Sequence, residues 1–581
     1  MSTPGTSNVF KIGINMAGAV SAGAYTAGVL DFLMEALEEW QTAKDALRAY
    51  IVNPGAGAPP PAAPLHDVEI DIFTGASAGG MCAAIASVMV QQDFVHIRTA
   101  TETNTNNVFY ESWVNTIDIR ELLKTQDLAG GSPLISLLDS TIIDAIAAKA
   151  LTPGPPVPRP YISDQLTLML TLSNVRGTPY QLYDDPAPGV EEFIEYFGDK
   201  LGFETTQGNA APGDPSAKPL PSGAPGTGAW PLLQDAAKAT GAFPIFLAPR
   251  ILTRDTADYS VPMWQTCDQS PSPVAPDFPS PAPPTLTTLN VDGGVTDNDP
   301  FALAHDFLVS RNPQAQDGHN PSDPVQANCA VITVAPFPAD AKYDPNYNAQ
   351  TSANIWTMLG RLGSVLISQS RFLGESLADL TSGVSFSRFA IAPSDPGQSD
   401  GRALQCGLLG AFGGFLERGF RAHDFLLGRR NCQKFLMTHF CLPEDNPVIA
   451  EGIASAGSFA AQMDAFLVDP PNTMVLPQAK VWMPLIPLVG TAAQEVPEPA
   501  RAQIAAESLD AIAALAVARI KAVRAPLLDG APGFVRFAAK LLLCWPLSLT
   551  IKSQIRDALA KGLCPNVEGQ KASDCAGTSG T

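Results

Sequence analysis

The chain has 581 residues, of which 45% are hydrophobic, and this length suits about three to four domains of ordinary size. Charged residues make up only 16%, and 36 Lys and Arg stand against 57 Asp and Glu, which gives a net charge of −21. The sequence has no cluster of basic residues, which argues against nucleic-acid binding and against a basic patch for anionic lipid headgroups. Any contact with lipid is therefore expected through apolar surface.

Cysteine and histidine are sparse. The nine cysteines are scattered without a C-x-x-C pair, and the chain has six histidines. This pattern predicts neither a disulfide framework nor a zinc site, and nothing in it indicates another metal or a cofactor.

One early segment imitates a targeting signal. Residues 12–30 carry no charge over 19 positions, which is long enough to span a bilayer. Regularly spaced glycines and the early Asn15 favour a strand, a glycine turn and a helix instead. We therefore predict a cytoplasmic or membrane-peripheral protein, with no cleavable signal peptide and no transmembrane helix.

The first half of the chain alternates strand and helix patterns, which predicts a parallel α/β sheet. A buried strand is predicted first, then a glycine turn and a long helix. A second strand leads directly into a helix of small residues. In chain order the predicted elements are strand 9–16, helix 23–50, strand 68–74, helix 78–90, strand 166–175, a helix from 230 that breaks at Pro244, strand 286–291 and strand 331–335.

Composition divides the chain into three parts. Residues 1–345 are predicted to form the α/β core, residues 346–565 a mostly helical region that partly completes it, and residues 566–581 a flexible tail. Three Pro-rich insertions interrupt the core, because they hold too few large apolar side chains to fold alone. They lie at about 53–64, 207–228 and 269–285, and the helices of the second part are predicted at 355–380, 408–439, 500–524 and 535–563.

The strongest local motif is Gly75-Ala76-Ser77-Ala78-Gly79. A G-x-S-x-G sequence between a buried strand and a helix is typical of a nucleophile elbow, where a tight turn exposes the serine hydroxyl. Gly75 and Gly79 allow the close approach of strand and helix. The helix N-terminus adds amide donors and a positive dipole beside the reacting carbonyl. We therefore predict Ser77 as a catalytic nucleophile.

The serine needs a base, and an aspartate is better placed than any histidine. Asp292 ends a predicted strand and precedes Gly293 and Gly294. Partial burial would keep it basic enough to accept the serine proton directly. Taken alone, it is equally well interpreted as an Asx-turn residue that ends a strand.

Other candidate bases are less favoured. The histidines after Ser77 lie in helical or polar-loop sequence rather than in a glycine-bounded loop after a strand; they are His96, His305, His319, His423 and His439. Asp297 and Asp299 are competing acids. Because Asp299 precedes Pro300, it is expected to cap a helix.

A third feature is the turn after the first strand, residues 16–23 (MAGAVSAG). Small residues let backbone N–H groups line up around an anion, which in a serine hydrolase is the oxyanion. We assign Gly18, Ala19 and Val20 to this candidate oxyanion turn. A phosphate-binding loop is excluded because no Lys follows the last glycine, and a dinucleotide fingerprint is excluded because Val20 replaces its middle glycine.

In this order, the three features resemble the patatin-like phospholipases. In that family a glycine-rich oxyanion turn runs into a helix, G-x-S-x-G follows, and Asp-Gly-Gly or Asp-Gly-Ala comes last. Ala19, Val20 and Ala22 stand where the family usually has two glycines and a cation. The resemblance spans roughly residues 9–337; its matching segments are 23–30 (GAYTAGVL), 75–79 and 292–294, with softer matches at 239–246 (ATGAFPIF) and 297–300 (DNDP).

The resemblance implies a three-layer, patatin-like α/β core with a parallel sheet and a largely helical C-terminal region. It also implies hydrolysis of lipid acyl esters by a Ser–Asp dyad, with no metal, cofactor or histidine. Ser77 would be the nucleophile and Asp292 its base. The expected partner is a phospholipid or neutral lipid ester, met at the periphery of a membrane.

Two other functions remain open. The altered oxyanion turn and the long helical region suit a catalytically weak patatin-like scaffold or a lipid-binding protein. An α/β-hydrolase esterase with a Ser-His-Asp triad would need one of the five later histidines as its base. It would usually also have more strands before the elbow.

Overall fold

The architecture is that of a computed structural model. It describes residues 9–54, 57–103, 105–184, 191–208, 210–260, 276–338, 350, 385–395, 403–468, 481–529, 549–564 and 566–569. The predicted helix at 355–380, residues 269–275 of the third insertion, residues 535–548 of the last predicted helix and most of the predicted tail lie outside these residues.

Most strands belong to one nine-stranded sheet in the order β5-β4-β3-β2-β1-β8-β9, in which β7 also pairs with β3 and β6 pairs with β7. The strands are β1 Val9–Met16, β2 Asp67–Gly75, β3 Ile162–Asp184, β4 Glu191–Thr206, β5 Lys218–Pro221, β6 Arg250–Asp255, β7 Thr285–Val291, β8 Cys329–Val334 and β9 Arg388–Ile391. A second, two-stranded sheet pairs β10 (Cys441–Pro443) with β11 (Trp482–Pro484).

The longer helices are numbered here in chain order. They are α1 Gly23–Val52, α2 Ser77–Met89, α3 Thr141–Ala150, α4 Trp230–Thr240, α5 Phe301–Arg311, α6 Arg418–Thr438, α7 Pro447–Ser455, α8 Ala506–Asp529 and α9 Leu549–Gly562. Shorter helical turns occur at Val20–Ala22, Val108–Tyr110, Glu111–Thr116, Ile119–Leu122, Gln126–Gly131, Thr256–Ser260, Gly293–Val295, Leu408–Ala411, Gly413–Leu416, Gly457–Phe466 and Gly490–Ala493.

The central strands are covered by helices on both faces, which gives the predicted three layers. Helix α5 packs its Ala304 and Leu308 against Ile72 and Val331 on one face. On the other face α1, α2, α4 and α6 contribute to the main core. Strands buried on both sides read as apolar runs, which is why β1 and β2 were recognisable from sequence.

The parallel pairing brings the ends of several strands to one edge. In β1, Met16 is level with Gly75 of β2 and with Val334 of β8. Gly75 is in turn level with Leu170 of β3. The turns after β1 and β2 therefore meet at the carboxyl edge of the sheet, where open α/β sheets place their ligands.

Strand β7 reaches the same place from the opposite direction. Strand β3 continues beyond that edge, and β7 runs antiparallel to it, with Val291 opposite Ser173. The turn after β7 therefore lies at the same carboxyl edge of the sheet as the turns after β1 and β2. The sheet is thus mostly parallel, with an antiparallel extension formed by β3, β4, β6 and β7.

The structure revises two local expectations. The strand predicted at 166–175 is longer and covers Ile162–Asp184, because β4 and β7 both pair along it. The 207–228 insertion contains β5, which pairs in parallel with β4. Leu220 is fully buried there, so even a Pro-rich segment adds an edge strand when one apolar side chain reaches the core.

The C-terminal region is packed into the core through α6, which lies along α1. Phe425, Leu427 and Leu436 of α6 belong to the same buried cluster as α1. Arg429 is buried and pairs with Asp31 and Glu35 of α1. Across the residues that the structure describes, the helices are all too short or too polar to cross a membrane.

Candidate active site

The predicted elbow is a tight turn between β2 and α2. Ser77 begins α2 with a φ of 52°, a left-handed conformation that is costly for a residue with a Cβ. A Cβ on Gly75 would lie 2.7 Å from the backbone of Gly79, and one on Gly79 would lie 2.1 Å from the Met16 oxygen. Both glycines are therefore required by the close approach of strand and helix.

Ser77 and Asp292 are in direct contact although they are 215 positions apart. The Ser77 hydroxyl donates to Asp292 Oδ2 at 2.6 Å. The other carboxylate oxygen, Oδ1, accepts the Gly294 N–H at 2.8 Å. Burial raises the pKa of Asp292 to about 7, and the bonds from Ser77 and Gly294 oppose that rise.

The turn that carries Asp292 is held against β3. The backbone N–H of Asp292 donates to the backbone oxygen of Ala242 at 3.0 Å. The Ser173 hydroxyl donates to the backbone oxygen of Asp292 at 2.8 Å. A Cβ on Gly293 would lie 2.1 Å from the Thr171 oxygen. The glycine after the aspartate therefore lets the turn press against the sheet.

The turn after β1 lies beside the serine. Gly18 faces Ser77, since a Cβ on Gly18 would be 3.2 Å from Ser77 Cβ. The Gly18 amide donates to the Asn298 oxygen at 2.9 Å. Val20 adopts a φ of 48°, which its β-branched side chain disfavours, and it lines the same cavity as Ser77 and Asp292.

A buried network of polar side chains connects the strands next to this edge. Asn15 donates to Asp299 Oδ1 at 2.5 Å and to Thr333 Oγ1 at 3.1 Å, and it accepts from Thr74 Oγ1 at 3.0 Å. The network ties β1, β2 and β8 together. The side chain of Asp299 thus binds Asn15, and α5 begins at Phe301 after Pro300, which corrects the expectation that Asp299 caps that helix.

An apolar cavity opens beside Ser77 and Asp292. Its wall is almost entirely apolar apart from Ser77, Ser112 and Asp292. The other lining residues are Val20, Ala78, Met81, Ile85, Trp113, Ile117, Leu122, Leu138, Ile143, Ile146, Gly241, Phe243, Phe246, Leu247, Phe412 and Phe415. An apolar cavity with a few convergent polar groups is the usual form of a small-ligand site.

All five later histidines are described, and each has contacts away from the dyad. His96 lies between Asp31 and Glu38. His305 contacts Asp306, His423 contacts Asp424 and His439 contacts Thr438; His319 lies against His305. Among the described residues, no three metal-ligating side chains come together.

Several residues at this site were not assigned a role from sequence. The Ser77 amide donates to Thr240 Oγ1 at 2.9 Å, at the end of α4. Asn298 lies between Gly18 and Gly294, where a Cβ would come within 2.0 Å and 2.3 Å of its Oδ1. Thr240 and Asn298 lie inside the segments 239–246 and 297–300, which resemble the family. This resemblance was the only indication in the sequence that they belong to the site. Phe412 and Phe415 stand in a segment without any motif.

Three comparisons found similarity to known proteins. Residues 15–305 match the family described as patatin-like phospholipase. An uncharacterised Sinorhizobium fredii protein, y4iI, is 32% identical over 561 residues, covering 90% of this chain and 76% of that protein. The crystal structure of VipD from Legionella pneumophila aligns over 97% of this chain and 93% of its own, with 11% identity and a TM-score of 0.23.

Proposed function

The chain belongs to the patatin-like phospholipase family, and from that premise we propose that it hydrolyses fatty-acyl esters of lipids through Ser77, with Asp292 as the base. One observation carries the proposal. The Ser77 hydroxyl donates to Asp292 at 2.6 Å, inside an apolar cavity that suits an acyl chain. The family as a whole comprises lipid hydrolases, and the dyad supplies a nucleophile and a proton acceptor in contact.

The first half of the proposed reaction forms an acyl-enzyme. Ser77 Oγ attacks the ester carbonyl carbon while its proton passes to Asp292. The tetrahedral intermediate then collapses, and the proton on Asp292 goes to the departing alcohol. Water repeats the sequence on the acyl-enzyme, with Asp292 accepting its proton, and the acid is released as Ser77 recovers its hydrogen.

The oxyanion of each tetrahedral intermediate needs hydrogen-bond donors beside Ser77. We assign this role to the backbone amides of Ala19, Val20 and Ala78, rather than to Gly18, whose amide is bound to Asn298. Within the described residues no acceptor bonds to the Ala19 or Val20 amide. A missing oxyanion donor typically costs about two to three orders of magnitude in rate. A backbone amide donates whatever side chain its residue carries, so this assignment does not require glycines in the turn.

The raised pKa of Asp292 suits a base that works near neutral pH. A carboxylate with a pKa of about 7 is a far stronger base than an exposed aspartate, yet a large fraction is ionised at neutral pH. Burial thus provides the basicity that a histidine provides in a triad.

The experiment compares ester hydrolysis by the wild type, Ser77→Ala and Asp292→Asn. Substrates are a p-nitrophenyl ester series and vesicles of mixed phospholipid and neutral lipid. We expect turnover by the wild type and a loss of at least about a thousandfold in each variant. Thr42→Ala is a matched control, because the Thr42 hydroxyl bonds only within the exposed surface of α1.

Two results would contradict the proposal. Equal activity in all three proteins would remove Ser77 and Asp292 from the reaction. No activity of the wild type on any ester, with acyl chains still bound in the cavity, would favour the lipid-binding scaffold.

A further inference from the structure

Three segments without charged residues contribute to the wall of the apolar cavity. Three segments, 129–138, 241–249 and 403–416, contain no Asp, Glu, Lys or Arg, in a protein whose net charge is −21. We refer to these three segments together as the charge-free rim. Each contributes to the cavity wall, through Leu138, Phe246 and Phe412.

The three segments are joined directly to one another. Leu137 N donates to the Ile245 oxygen at 2.9 Å, and Leu138 N to the Phe246 oxygen at 3.0 Å. The Phe412 ring lies 5.7 Å from the ring of Phe243 and 5.9 Å from that of Phe246. The three segments of the charge-free rim are thus in direct contact, although they are far apart in sequence.

Large apolar side chains on this surface face solvent. Ile135 is 62% exposed, Ile245 is 72% exposed and Phe246 is 39% exposed. Ile245 also holds a φ of 71°, which is unfavourable for a β-branched residue. An isoleucine that is both strained and exposed weakens the fold, and residues of this kind cluster where a binding partner uses them.

We propose that the charge-free rim docks on the surface of an uncharged or zwitterionic lipid bilayer, with Ile135 and Ile245 inserted among the lipids. The proposal rests on the proposed function, because the substrate would then enter the cavity directly from the bilayer. The exposed apolar side chains of the rim match such a surface. Arg519 donates to the backbone oxygens of Ser136 and Leu137 there, but its side chain is buried and paired with Asp127. The net charge of −21 would oppose docking on strongly anionic lipid.

The test measures binding to phosphatidylcholine vesicles by flotation, in a Ser77→Ala background so that the vesicles stay intact. We expect Ile245→Asn and Ile135→Asn each to weaken binding roughly tenfold, from the loss of an inserted aliphatic side chain. Asparagine tolerates a positive φ, so Ile245→Asn also removes strain and should fold at least as well as its parent.

Val52→Asn is the matched control. Val52 is 86% exposed but ends α1, a 30-residue helix that starts beside the active site and extends about 45 Å away from it. Its substitution should leave vesicle binding unchanged. In proteins with Ser77 intact, Ile135→Asn and Ile245→Asn should keep the hydrolysis of soluble p-nitrophenyl butyrate and lose the hydrolysis of lipid in vesicles.

The outcomes separate docking from catalysis. Hydrolysis of the soluble ester without vesicle binding would overturn docking and leave the proposed function standing. Vesicle binding without any hydrolysis would overturn the proposed function and leave docking standing. Docking is also overturned if phosphatidylserine strengthens binding, if both asparagine variants bind like the parent, or if they convert a dimer into a monomer. The last result would identify a second copy of the chain as the occupant of the rim.

Discussion

At the scale of single residues, the candidate site contains a carboxylate in a buried position, where its ionised form is unfavourable. Asp292 is 3% exposed, and no cation accompanies it among the groups that set its pKa. Its two oxygens are instead satisfied by Ser77 and by the Gly294 amide. An isolated buried carboxylate holds its proton more tightly than one in water, so its ionisation is coupled to folding and, in the proposed reaction, to activity.

The first prediction concerns activity and pH. If Asp292 must be ionised, kcat/KM should rise about tenfold per pH unit below its pKa of about 7 and level off above it. The rate on a soluble ester between pH 5 and pH 9 checks this. A plateau reached already at pH 5 would mean that a group of ordinary acidity limits the reaction.

The second prediction concerns stability and pH. The folded protein holds the Asp292 proton up to a pKa of about 7, against 3.8 in an unfolded chain. This group therefore stabilises the fold fully below pH 3.8, and its contribution is lost as pH rises through about 7. Asp292→Asn escapes that loss, so its advantage in free energy of unfolding over the wild type should grow between about pH 4 and pH 7.

Urea unfolding of both proteins across that range measures the difference. The expected slope is about 1.4 kcal/mol per pH unit, a total of a few kcal/mol. Asp255→Asn serves as the control for the Asp-to-Asn change itself, because its side chain is 70% exposed. Parallel curves for the wild type and Asp292→Asn would show that Asp292 titrates normally.

At the scale of elements, glycines bring helix backbones into contact. A Cβ on Gly28 of α1 would lie 1.9 Å from the Phe425 oxygen, and one on Gly428 of α6 would lie 2.2 Å from the Tyr25 oxygen. The contact is reciprocal, with each helix offering its glycine to the carbonyl of the other. Backbone cannot yield as a flexible side chain can, so these positions fix the distance between α1 and α6.

The third prediction follows from that contact. Gly28→Ala should lower the free energy of unfolding by about 3 kcal/mol or more, because overpacking here must separate two helix backbones. Gly202→Ala in β4 is the control, since its nearest neighbour would be 3.9 Å away. Denaturation midpoints of the two variants decide the matter, and equal midpoints would refute the close packing.

Sequence predicted the central elements well, and the reason is physical. Strand β1 is predicted with its observed bounds, Val9–Met16, because six of its eight residues are buried. Periodicity also identified α2 and β7 to within one or two residues. The antiparallel extension escaped prediction because its partners are set by long-range pairing, as with Val291 opposite Ser173.

The parts of the candidate site that follow from a local sequence motif could be predicted. The elbow glycines and the Asp-Gly-Gly turn are local requirements of backbone approach, so Ser77 and Asp292 could be paired on paper. The contact between Ser77 and Thr240 could not, because a single hydroxyl acceptor leaves no pattern. Phe412 was equally invisible, since it reaches the cavity from a region that carries no motif.

At the scale of the whole molecule, the N-terminal α/β part and the C-terminal region share one core. Arg429 of α6 is buried and pairs with Asp31 and Glu35 of α1. His96 also contacts Asp31, and Arg98 contacts Glu35. We therefore propose that residues 1–345 do not form an independent domain and that the C-terminal region completes the hydrolase core.

The fourth prediction tests this coupling. Arg429→Met should cost roughly 3 kcal/mol in free energy of unfolding, because it leaves buried carboxylates without a main partner. Arg556→Met is the control: its ion pair with Asp510 is about half exposed and should be worth less than about 1 kcal/mol. A cost for Arg429→Met as small as the control's would mean that the two halves fold separately.

The pairing of α1 with α6 also has a consequence for biosynthesis. Asp31 and Arg429 are 398 positions apart, so α1 leaves the ribosome long before its partner has been translated. At about 5–20 residues per second the delay is roughly 20–80 s. During that time the side of α1 that packs against α6 lacks this partner, although residues 77–116 are already available to its other side. Production of this protein should therefore depend on chaperones that hold nascent chains, and ribosome-stalled chains shorter than about 430 residues should remain sensitive to protease.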